Sequence, residues 1–91
     1  MARETYELYY HQNGRWNLQA SFESGEREVA VEEAIALANK QGLATRVVRE
    51  TSYRDTNTTE EVIAWQSPKA KQMGDADDMF TRNSPSKGGK K

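Results

Sequence analysis

From Thr5 to His11 the chain alternates strictly, with Thr5, Glu7, Tyr9 and His11 on one side and Tyr6, Leu8 and Tyr10 on the other. A period of two is the signature of a strand with one buried face. Asn13-Gly14 comes next, a pair that readily takes the positive φ angles of a type I′ turn and so predicts a tight hairpin. The return strand is predicted where Trp16, Leu18, Ala20 and Phe22 alternate with Arg15, Asn17, Gln19, Ser21 and Glu23. Continued through the hairpin, this pattern sends Tyr6, Leu8, Tyr10, Trp16, Leu18 and Phe22 toward a core. Glu7, Tyr9, His11, Arg15, Asn17 and Gln19 are left facing water, joined by Arg46 or Arg49.

Ser24-Gly25 breaks the strand, and Glu26 and Glu28 supply the negative charge that a helix favours in its first turn, so a helix is expected from about Arg27. Val31, Ala34, Ile35 and Ala38 recur at helical spacing, widened by Ala30 and Leu37, and Gly42 stands where a left-handed cap ends the helix. Two further β-rich stretches, Leu43 to Tyr53 and Thr59 to Gln66, flank turn chemistry at Arg54-Asp55-Thr56-Asn57-Thr58 and predict a second hairpin. The fold class expected is therefore α+β: a four-stranded antiparallel sheet in ββαββ order with one helix packed on one face, because a sheet with one apolar face needs a second layer.

After Trp65 the character changes. Ser67-Pro68 opens a stretch of Lys, Gly, Asp and Ser that ends in Ser84-Pro85-Ser86-Lys87-Gly88-Gly89-Lys90-Lys91. Such a segment buries too little apolar surface to offset its ordering entropy. The division expected is a small ββαββ domain over residues 1–66 and a disordered basic tail over residues 67–91. Charge follows the same division: residues 1–66 hold 7 Lys+Arg against 11 Asp+Glu, a net −4, and residues 67–91 hold 6 against 3, a net +3.

Composition narrows the functional classes. With 35% hydrophobic and 30% charged residues in 91, the chain has room for one small core. It has no cysteine, which excludes disulfides, thiolate metal sites and cysteine nucleophiles. Charges occupy the N-terminal stretch where a signal peptide is apolar, and no run has the length of a membrane span, so a cytoplasmic, membrane-free protein is expected.

Catalytic chemistry finds little to work with. His11 is the only histidine, so neither a histidine metal pair nor a serine–histidine pair is specified. Glu32-Glu33 and Glu60-Glu61 are adjacent in sequence and point in different directions on a helix or strand. Asp75-Ala76-Asp77-Asp78 lacks the spaced glycine and closing glutamate of a calcium loop, and no glycine pattern suits a phosphate. No enzyme activity and no cofactor are expected.

Binding is the class that remains. The surfaces singled out are the water-facing side of the sheet, with Tyr9, His11, Arg15, Asn17 and Arg46, and the acidic-hydrophobic tail segment around Met79 and Phe80. Trp16 and Trp65 are expected as core or as interface anchors. The partner expected is another protein, met through the open sheet face, a sheet edge or the tail, with a homodimer through an edge strand included. The alternative is a nucleic-acid-binding accessory protein whose basic tail contacts phosphate and whose Tyr9/Arg15 face stacks bases.

Trp16-x-Leu18-x-Ala20-x-Phe22, the alanine-rich helix, Gly42 and Arg46-Val47-Val48 together resemble one half of the sporulation-related repeat that binds denuded peptidoglycan. The resemblance lies in βαβ packing positions.

Overall fold

A computed structural model describes residues 2–73. β1 (Ala2–Gln12) and β2 (Arg15–Glu23) form a hairpin, a 3-10 turn at Ser24–Glu26 leads into α1 (Arg27–Gln41), β3 (Ala44–Tyr53) and β4 (Thr58–Gln66) form the second hairpin, and α2 (Pro68–Met73) follows. All pairings are antiparallel and the strand order is β2-β1-β3-β4, so the hairpins join through β1 and β3 and the edges are β2 and β4. The α+β sheet in ββαββ order, with α1 packed on one face, is the architecture that the hydrophobic pattern predicts.

Local chemistry explains where the elements begin and end. Asn13 and Gly14 both take positive φ, 58° and 80°, as a type I′ turn requires. The Glu23 amide donates to the Glu26 carboxylate at 3.0 Å, half of a reciprocal cap at the entry to the helical segment. Gly42 closes α1 in the left-handed region at φ 69°, its amide donating to the Ala38 carbonyl at 2.8 Å.

Ala30 and Ala34, both fully buried, meet Tyr6, Leu8 and Val47 of the sheet, with Phe22, Val31, Ala64 and Trp65 packed around them. Alanine at both contact positions lets the helix lie close to the strands, and the Thr45 hydroxyl donates across the layer to the Ala34 carbonyl at 3.1 Å. The buried stripe is narrower than expected: Ile35 is exposed. With the Ala30/Ala34 ridge against the sheet, Ile35 is turned about 100° further round the helix.

Two irregularities decide the faces. In the β1–β2 ladder Leu8 pairs Ala20 and Tyr9 pairs Leu18, which leaves Gln19 as an extra residue on β2. In the β3–β4 ladder Val47 pairs Trp65 and Val48 pairs Ile63, which leaves Ala64 extra on β4. Each is a β-bulge, and each shifts by one the side to which later residues point.

Ordered structure continues past Gln66, into the stretch expected as a tail. Ser67 is buried and exchanges hydrogen bonds with Thr45: its amide donates to the Thr45 carbonyl and its Oγ accepts from the Thr45 amide, both at 3.0 Å. The same Oγ accepts from the Ala70 amide at 3.2 Å, so Ser67 caps α2 and Pro68 fills the first helical position, where a missing N–H costs nothing. Ala70 is fully buried. Residues 74–91, including Met79, Phe80 and Asp75 to Asp78, lie outside the described residues.

Candidate functional site

Helix α1 covers one face of the sheet, and the opposite face carries the cross-strand rows Trp16–His11–Ala44, Leu18–Tyr9–Arg46–Gln66, Ser21–Glu7–Val48–Ile63 and Glu23–Thr5–Glu50–Glu61. Residues directly opposite in antiparallel strands share a side, which assigns each of these to one surface.

The Gln19 bulge corrects the expected surface. Trp16 and Leu18, expected toward the helix, stand on the open face opposite His11 and Tyr9. Arg15 and Asn17, expected on the open face, pair with Gln12 and Tyr10 and so lie on the helix side. There the Asn17 amide donates to the Arg15 and Gln12 carbonyls at 3.1 and 3.3 Å and ties the hairpin end together. Gln19 also leaves the open face and lines a small hollow with Tyr10 and Leu37. Tyr9, His11 and Arg46 are where the alternation put them. Of the expected site residues, the sheet brings together Tyr9, His11 and Arg46, adds Trp16 and Leu18, and separates Arg15 and Asn17 from them.

Arg46 is the centre of this surface, and only 1% of it is exposed. Its guanidinium carbon is 4.3 Å from the centroid of the Trp16 ring, and its Nε donates to Gln66 Oε1 at 2.8 Å. His11 meets Trp16 edge-on, with ring centroids 5.2 Å apart. An indole over a guanidinium is a favourable electrostatic contact as well as an apolar cover, and it fixes the ring in place. Beside it Leu18 is 55% exposed, the most exposed large hydrophobic side chain among the described residues.

Toward the far end the surface turns acidic. Glu7 accepts from the Thr5 and Ser21 hydroxyls, and Glu50 faces Glu61 directly across β3 and β4. The Glu50 carboxyl is raised above its ordinary value by partial burial first, then by the charges of Glu7 and Glu61 and a hydrogen bond with Glu7. Burial, followed by Glu7, Glu61 and Glu50, pushes the Tyr9 phenol up to about 12. Crowded carboxylates favour whatever form or neighbour reduces their mutual repulsion.

Among the described residues, no group of three His, Asp or Glu side chains is placed to hold a metal ion. The hollows carry little chemistry: one, of about 130 Å³, is lined by Tyr10, Gln12, Gln19, Leu37, Gln41 and Leu43, and another, of about 360 Å³, by Ala2, Arg3, Ser52 and Arg54. No described helix is long and apolar enough to cross a membrane.

No family model matches the chain, and neither the curated proteins nor the solved structures hold a significant match. The resemblance of Trp16 to Val48 to half of a sporulation-related repeat therefore assigns no family.

Proposed function

We propose that this chain is a non-catalytic protein-binding module whose contact surface is the open face of its sheet. The observation that carries the reading is Leu18, 55% exposed beside Trp16, Tyr9 and His11 on the face opposite α1. Protein interfaces centre on aromatic and apolar anchors held rigid before binding. Trp16 is held by Arg46 and His11, so its ordering cost is met in the fold. The cysteine-free composition places no demand on an oxidising compartment, and the same proposal puts the protein in the cytoplasm.

Two alternatives lose ground on this surface. Base stacking by a Tyr9/Arg15 pair needs both on one face, and they lie on opposite ones; Glu7, Glu50 and Glu61 beside Tyr9 repel phosphate. Strand addition at an edge meets a bulge in β2 and another in β4, devices that blunt edge pairing, together with Glu60 and Glu61 on β4.

The test is recovery of the tagged protein from its native cell, with nuclease and at high salt, beside a Leu18→Arg variant. An exposed position tolerates that change within about 0.5 kcal/mol, so folding is kept. A salt-stable protein partner held by the wild type and lost by Leu18→Arg is the expected outcome. Equal recovery by both, or nuclease-sensitive material alone, defeats the proposal.

A further inference from the structure

We propose that the partner of the open face is a basic protein segment, which seats a large apolar side chain on Leu18 and Trp16 and places an arginine or lysine beside Glu7 and Glu50. This names the chemistry of the partner and rests on the binding surface proposed above.

The face has two ends of different chemistry. Leu18 opposite Tyr9 and Trp16 opposite His11 make its apolar end. Glu7 stands on the next row of β1, and Glu50, opposite Thr5, on the row after that. Rows on one side of a strand are about 6.8 Å apart. The two carboxyls are therefore about 7 and 14 Å along the sheet from the Leu18–Tyr9 row, spacings that residues two and four apart in an extended segment match.

The acidic end calls for a positive charge from outside. Among the described residues neither carboxyl meets a cation: Glu7 accepts from the Thr5 and Ser21 hydroxyls, and Glu50 shares a hydrogen bond with Glu7. Arg49, next to Glu50 in the chain, is on the helix side, 3.5 Å from Glu4. A metal ion does not suit the place, because among the described residues no three acidic or histidine side chains are set to ligate one. A guanidinium or ammonium does, since it spreads several N–H donors over acceptors that lie further apart.

The groups that face Glu50 are Glu7 and Tyr9 of β1 and Glu61 of β4, with Glu23 of β2 at the far end of its row. Partial burial first, then the Glu7 and Glu61 charges, raise the Glu50 carboxyl, so it keeps a proton that a bound cation would replace. Binding of the basic segment therefore tightens as pH rises above the ordinary carboxyl value.

The probe is the peptide acetyl-Ser-Leu-Ser-Arg-Ser-Arg-Ser amide, titrated into the full chain and followed by amide NMR, beside a peptide with glutamate at both arginine positions. The expected result is shifts at Leu18, Glu7 and Glu50 with Val29 and Ile35 of α1 unmoved, from the arginine peptide alone. Glu7→Gln combined with Glu50→Gln keeps the acceptor oxygens and should weaken binding at least about tenfold, and Glu50→Gln alone should flatten the rise of affinity with pH. No shift, equal shifts from the two peptides, or shifts on the helix side overturn the proposal. So do shifts at the same residues that grow with protein concentration without peptide, because a second copy is then the occupant. A cellular partner that is lost by Leu18→Arg but held equally by the double glutamine variant removes the basic chemistry alone and leaves the binding surface standing.

Discussion

Arg46 lies on the face of the sheet opposite α1, yet almost none of it meets water. A guanidinium is tolerated there because Trp16 lies over it and Gln66 accepts from its Nε, so its desolvation is compensated. Glu50 shows the opposite balance, a carboxyl held among like charges, and its raised pKa makes a pH prediction. The folded state binds this proton more tightly than the unfolded chain, so the contribution is full below the ordinary carboxyl value and is lost as pH rises through the raised one. Glu50→Gln is expected to flatten the fall in urea midpoint as pH rises above the ordinary carboxyl value, relative to wild type; an unchanged slope would count against carboxylate crowding at this position. Tyr9 and Arg46 could be placed from the sequence because β1 and β3, the strands that carry them, pair with each other without a shift. The Trp16 contact could not, since nothing in a local window says which way a residue beyond a bulge points.

At the scale of elements, the two edge strands share a device. β2 carries one extra residue at Gln19 and β4 one at Ala64, while the central pair β1–β3 runs without a shift from Ala2 to His11. A bulge strengthens local twist and spoils the template that an open edge offers. Because Tyr9 already pairs with Leu18, removing Gln19 should leave a regular ladder with every other pair intact. The Gln19 deletion is therefore expected to fold with Leu18 still exposed, whereas deleting Asn17, inside the paired stretch, should disturb the Asn13-Gly14 hairpin. Amide NMR shifts along β1 check this: large changes at Tyr10 and His11 in the Gln19 deletion would show the register to be set in another way. The hairpin turns, the Gly42 cap and all four strands were legible from local chemistry, although β1 begins at Ala2, three residues before the alternation read from Thr5.

For the molecule as a whole, the fold continues past the last strand. Ser67 and Ala70 are buried, and Lys69 Nζ donates to the Gly42 carbonyl at 2.7 Å, so α2 ties the end of β4 to the end of α1. A chain ended after Gln66 should lose the Ser67 acceptor of the buried Thr45 amide, at a cost of roughly 1–3 kcal/mol, whereas one ended after Met73 keeps it. Urea unfolding of the two truncations against the full chain tests this, and equal midpoints would show that Ser67 and α2 add nothing to stability. A sequence signal for α2 was present: Ser67-Pro68 is a cap followed by a proline at the first helical position, although the polar, glycine-containing context reads as linker.

The sequence by itself determined the elements as far as Gln66, their order and the centre of the helix-facing core, because turns, caps and side-chain periodicity act over a few residues. Tyr6, Leu8, Val47, Ala30 and Ala34 meet where their spacing sends them. Only the tertiary structure decided the composition of the open face. Pairing with β1 fixes where β2 accommodates its extra residue, and that choice exchanges Arg15 and Asn17 for Trp16 and Leu18. The physical reason is the period of two: one unpaired residue inverts every side chain beyond it, and whether a residue is unpaired depends on the neighbouring strand.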